Sequence, residues 1–112
     1  MNFEASELTL QVAQTARDFA AQHIKPYVME WDESQEFPKK MFKEMGKLGL
    51  LGVLIPEEYG GAGLTYFEYS AILQEISKVC GSVGLSTAAH NSLCIGHILS
   101  FGTEQQKKKY LP

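Results

Sequence analysis

Apolar residues in the first part of the chain recur at steps of three and four. Leu8, Val12, Ala16, Phe19 and Ala20 form one stripe behind Ser6, whose hydroxyl suits a helix N-cap. The pattern predicts a helix from Ser6 to about His23. Pro26 fits the first turn of a short second helix through Tyr27, Met29 and Trp31, because that turn needs no proline N–H. Asp32 to Phe37 is polar and reads as a loop. Pro38 then opens a third helix with Met41, Phe42, Met45 and Leu48 turned inward, stopped by Gly49.

The next stretch, Leu50 to Pro56, is apolar and partly β-branched, which also suits a buried strand. With no partner strand in the pattern, it reads as a buried connector. Gly60, Gly61 and Gly63 follow in the loop from Glu57 to Leu64. Thr65 and Glu68 have the spacing of a capping box, opening a helix to about Val79 with Phe67, Ile72, Leu73 and Ile76 on its buried side. Gly81 and Ser82 break the chain before a long helix from about Val83 to Ser100, ended by Gly102. Thr103 and Gln106 repeat the capping-box spacing and start a last helix through Tyr110. The sum is an all-α bundle of about six helices, one domain over residues 1–112.

Composition agrees with a folded domain: 45% of residues are apolar and 21% charged. The net charge of −3 and the lack of any basic run beyond Lys107, Lys108 and Lys109 argue against a nucleic-acid role. That run is read as a solvated face near a helix C-terminus, where the dipole favours cations. No apolar window approaches the ~20 residues of a membrane helix. Cys80 and Cys94 make no disulfide framework, and MNFEASELT lacks the basic start and apolar stretch of a secretory leader. These features predict a reduced intracellular protein, cytoplasmic in a bacterium or in the mitochondrial matrix of a eukaryote.

The helix from Val83 to Ser100 carries almost no charge on any face, so it is expected to be buried all round. Gly84, Ser86, Ala88, Ala89, Ser92 and Gly96 bring neighbouring surfaces close. Two readings stay open: tight helix packing, or one wall of a narrow apolar slot. His90 and His97 are seven residues apart, roughly 10 Å along a helix, too far to share one ion. They are expected to be structural, with no metal site. The Gly60–Gly63 loop lacks the lysine and hydroxyl of a P-loop and the spacing of a dinucleotide fold, so it reads as a structural turn. Ser92 lacks a nucleophile elbow, and Cys94 is expected to be a buried, inert thiol. Tyr59, Tyr66, Phe67 and Tyr69 form an aromatic cluster suited to core or interdomain packing.

Three stretches together resemble the N-terminal domain of the acyl-CoA dehydrogenase family. LGLLGVLIPEEYGGAGLTYFEYSAILQEIS (48–77) carries the P-E-x-Y-G-G-x-G loop, SVGLSTAAHNSLCIGHI (82–98) the A-H-x-S-L helix, and FGTEQQKKKYLP (101–112) the closing Q-K-x-K-Y-L-P stretch. The resemblance covers essentially the whole chain in the expected order. It implies a parent enzyme with a following β domain and C-terminal helical domain, binding FAD mainly between those two. The parent would oxidise an acyl-CoA to a trans-2-enoyl-CoA, using a glutamate base from the C-terminal region and sending the β-hydrogen as hydride to the flavin. Electrons would pass to an electron-transfer flavoprotein, and the parent would be a homo-oligomer, a tetramer.

On that resemblance, this chain holds no catalytic, cofactor-binding or metal-binding residue, and Leu85, Ser86, Ala89 and Leu93 line the acyl pocket. Small Ala89 beside branched Leu85 is similar to short, branched-chain members such as isovaleryl-CoA dehydrogenases. The isolated chain is then expected to be inactive. The other reading is a free-standing helical module that docks another protein and has no catalytic purpose.

Overall fold

The computed structural model describes residues 4–112; Met1–Phe3, part of the stretch read above for a leader, lie outside the described residues. Helix α1 (Glu7–His23) starts at Ser6, whose Oγ accepts the Thr9 N–H at 3.1 Å. Its stripe is narrower than the periodicity implies. Ala16, Phe19 and Ala20 are buried, whereas Leu8 at the helix start is 48% exposed. A short 3₁₀ turn (Lys25–Tyr27) leads into α2 (Val28–Ser34). That helix runs through Asp32 to Ser34, where a loop is predicted, and ends on Gln35 at φ 58°. The left-handed residue that stops it is therefore a glutamine rather than the usual glycine.

Helix α3 (Lys39–Lys47) begins behind Pro38 and ends as predicted at Gly49. There the Gly49 N–H bonds to the Gly46 carbonyl and the Leu50 N–H to the Met45 carbonyl, with Gly49 at φ +78°. These two bonds form a Schellman motif, which satisfies the last helical carbonyls and turns the chain inward. Met41 and Met45 are buried in α3, but Leu48 sits past its last turn and is 52% exposed.

The connector that follows is buried and irregular. Leu50, Val53 and Ile55 are at most 3% exposed, so their backbone groups need partners inside the protein. The glycine loop supplies several. Ala62 N–H bonds to the Gly52 carbonyl, Gly63 N–H to Ile55 and Leu64 N–H to Val53, at 2.8–2.9 Å. The approach is so close that a Cβ on Gly61 would lie 2.1 Å from the Ile55 carbonyl oxygen. Only glycine fits there.

Helix α4 (Tyr66–Val79) opens with the predicted capping box: Thr65 Oγ1 accepts the Phe67 N–H at 3.3 Å, and Glu68 accepts the Thr65 N–H at 3.0 Å. Ile72 and Ile76 are buried. Phe67, predicted to be, is 78% exposed. α4 packs along α1, and two polar links cross that seam. Arg17 donates to both carboxylate oxygens of Glu75 at 3.1 Å, and Thr9 Oγ1 donates to Glu68 at 3.4 Å. Hydrogen bonding from Arg17, helped by Lys78, lowers the Glu75 pKa; hydrogen bonding from Thr65 lowers that of Glu68.

The chain turns at Cys80, one residue earlier than the glycine pattern suggests, and Gly81 and Ser82 are already helical. α5 (Gly81–Ala88), a π turn (Ala89–Cys94) and α6 (Ile95–Phe101) form one continuous rod. Gly84 lets it press on α4, where a Cβ would meet Ser77 Oγ at 2.1 Å. α7 (Glu104–Tyr110) closes the chain behind a second capping box, Thr103 with Gln106. Lys107, Lys108 and Lys109 lie in its last turn, and Tyr59 donates to Glu104 at 2.9 Å, tying the glycine loop to it. Counting the rod once, the described residues form six helices with no strand. The fold is all-α.

Asn91 links the rod to the connector. It is 1% exposed; its Oδ1 accepts the Val53 N–H at 3.2 Å, and its Nδ2 donates to the Leu50 and Thr87 carbonyls at 3.1 Å. Asn91→Ala leaves buried connector groups unpaired and opens a small cavity. An expected loss of about 2–4 kcal/mol would appear as a lower urea midpoint. A second outcome concerns acid. Carboxylates with lowered folded pKa values stabilise the fold above their unfolded value of about 4.3, and that stability is lost as pH falls through the folded values. Urea midpoints should therefore drop below about pH 4, and Glu75→Gln should flatten part of that acid limb.

Candidate functional site

The candidate site is the outer side of the α5–π–α6 rod. Its inner side is settled by a stripe at four-residue steps: Val83, Thr87, Asn91 and Ile95 are all at most 6% exposed. On an ideal α-helix each such step overshoots by about 40°, so three would carry Ile95 well off the inner face. The π turn takes up that drift. Its wider hydrogen bonding is seen where the Ile95 N–H reaches the His90 carbonyl, five residues back. Thr87 Oγ1 caps the stripe's polar needs by donating to the Val83 carbonyl at 2.8 Å.

The opposite side is open. Leu85 is 72% and Leu93 62% exposed, with half-buried Ala89 between them in sequence. The rod is therefore not buried all round. An uncharged sequence marks surface kept from water without saying which molecule covers it, and this chain covers only one side. Cys94 belongs to the uncovered part and is exposed, against the expectation of a buried thiol.

Ser86 stands on a flank of the rod. With His90, one turn on, it lines a groove of ≈ 510 Å³ walled by Phe37, Phe42 and Leu51. Phe37 and Phe42 stack at 4.9 Å between ring centroids, giving the groove a flat apolar wall. Lys39 and Lys43 also line it. Thus three of the four predicted pocket residues, Leu85, Ala89 and Leu93, lie toward the uncovered side, while Ser86 opens onto the neighbouring groove. His90, read from sequence as structural, belongs to that groove's lining. The four-residue step from Ser86 to His90 is the signal that could have placed it there.

Other candidates fall away on geometry. His97 Nδ1 donates to the Leu93 carbonyl, a helix-internal use of the ring. No cluster of metal-ligating side chains occurs among the described residues. The glycine loop does not fit a nucleotide phosphate. The amides of Gly60, Gly61, Ala62 and Gly63 all donate to carbonyls of the preceding connector and turn, leaving no open nest for an anion. It is a structural turn. Of the aromatic cluster, only Tyr69 is core; Tyr66 is 73% exposed and Phe67 likewise faces outward. Tyr69, 7% exposed on α4, donates its hydroxyl to the Ala88 carbonyl at 3.3 Å and lies 2.5 Å from Ser92 Oγ. Sequence reading gave no hint of that contact.

Comparison with known proteins places this architecture. Residues 6–112 match the family model for the acyl-CoA dehydrogenase N-terminal domain. Mitochondrial isovaleryl-CoA dehydrogenase of Pongo abelii is 44% identical over 96% of this chain and 26% of its own length. The butyryl-CoA dehydrogenase structure from Megasphaera elsdenii superposes with a TM-score of 0.92 at 32% identity, over 99% of this chain and 30% of that one. An acyl-CoA dehydrogenase from Bacillus anthracis, complexed with FAD, matches at 0.88 and 38% identity, over 97% of this chain and 19% of that one. The chain thus spans under a third of the length of these relatives. From its helices, its caps and its glycine loop to its last turn, it belongs to the acyl-CoA dehydrogenase family as that family's N-terminal domain.

Proposed function

We propose that this chain forms one wall of the acyl-chain slot of a flavin-dependent acyl-CoA dehydrogenase, giving shape and no reacting group. The observation that carries the reading is the division of the rod: one side fixed by buried Asn91, the other presenting Leu85 and Leu93 bare. Alkyl side chains around a small Ala89 suit a hydrocarbon tail, and Ser86 adds a hydroxyl at the flank. None of these four side chains is a general base near neutral pH, so proton abstraction is assigned to other parts of the enzyme. FAD likewise is assigned to other domains, because the glycine loop has no amides left for its phosphates. An acyl-CoA is the substrate on this reading, and an electron-transfer flavoprotein is the electron acceptor.

Short or branched acyl groups fit best, since Leu85 and Leu93 flank an alanine rather than a third large residue. One methylene more or less in such a slot shifts binding by roughly 1–3 kcal/mol, enough for a chain-length preference. In the full-length enzyme, Ala89→Phe should fill the slot and raise KM for branched acyl-CoA thioesters about tenfold or more, with little change in thermal midpoint. Steady-state kinetics over a series of acyl lengths reads this directly. Unchanged preference would remove Ala89 from the slot.

A further inference from the structure

The π turn covers Ala89 to Cys94 and so carries two of the four slot residues, Ala89 and Leu93. A π turn is less favourable than the α-helix around it and persists where side chains hold it. Two groups do so here, from adjoining faces of the rod. On the inner side, Asn91 reaches the Thr87 carbonyl and the connector. On the α4 side, the Tyr69 hydroxyl donates to the Ala88 carbonyl, just before the turn begins, and accepts from Ser92 Oγ within it. In an α-helix the Ala88 carbonyl would accept the Ser92 N–H. The phenol thus ties the carbonyl at the entrance of the turn to the Ser92 side chain within it, a link across the point where the hydrogen-bonding pattern changes.

We infer that Tyr69 and Ser92 are positioning residues for acyl specificity: by holding the π turn, they set where Leu93 stands relative to Leu85 and Ala89. This rests on the slot reading given above. On an unbroken α-helix, eight steps of about 100° would leave Leu93 roughly 80° around the rod from Leu85, off the side the two share. Neither positioning residue touches the acyl group; both act through the backbone that presents Leu93.

Tyr69→Phe in the full-length enzyme removes only the hydroxyl and keeps the packed ring. The expected result is a change of about fivefold or more in the ratio of kcat/KM for branched over straight short acyl-CoA thioesters. The change should come from KM rather than kcat, with the thermal midpoint moved by no more than a few degrees. Ser92→Ala should move the ratio the same way, and it carries the test if Tyr69→Phe fails to fold. An unchanged ratio in the folded variants overturns the inference, while a response to Ala89→Phe in the same assay leaves the slot reading standing. A wild-type enzyme that oxidises no acyl-CoA thioester overturns both.

Discussion

The buried amide of Asn91 is the contact on which the arrangement depends, because it answers a need that helices cannot. Leu50 to Ile55 runs through the interior without helical or strand pairing, and a buried backbone group left unpaired costs about 1–3 kcal/mol. Asn91 serves the Val53 N–H and the Leu50 carbonyl together. The glycine loop serves the Gly52, Val53 and Ile55 carbonyls from the other side. Rod, connector and loop are one hydrogen-bonded unit. The glycines are there because the loop must lie against the connector at backbone distance, not because a ligand needs them.

That unit determines what the rod can offer. With Asn91 drawn inward, Val83, Thr87 and Ile95 follow it, and Leu85 and Leu93 are turned out. The bare side is a consequence of the fixed side. Burying a leucine fully is worth about 1.5–3 kcal/mol, so two leucines exposed beyond 60% are a sizeable apolar surface with no cover from this chain. On the function proposed above an acyl tail would cover that surface, in keeping with the acyl-CoA substrates that the names of the matching relatives carry.

Much of the fold was legible in the sequence, and the legible parts are those governed by local chemistry. Ser6, Thr65 and Thr103 cap helices where their spacing to the next polar partner says they must, and Gly49 closes α3 by a motif that needs a left-handed residue. The family resemblance likewise held over nearly the whole chain. What escaped was set by tertiary contact. α2 overran its expected end because Gln35 took a conformation that sequence assigns to glycine. Leu8, Leu48, Phe67 and Cys94 were expected inside on apolar character alone, which does not say whether the cover comes from this chain or from a neighbour. Asn91 lay in plain sight within an apolar helix, yet its partners, some 40 residues away, have no local signature. The π turn has none either.

Hydrogen exchange at the Val53 amide tests the account most directly, since that N–H lies outside any helix and its partner is a side chain, Asn91 Oδ1. If the connector is pinned as described, Val53 exchanges as slowly as the amides of buried Ile72 and Ile76 in α4, through global unfolding. If Val53 exchanges at the rate of an open loop while α4 stays protected, the connector is not held by the rod, and the division into a fixed and an offered side fails with it.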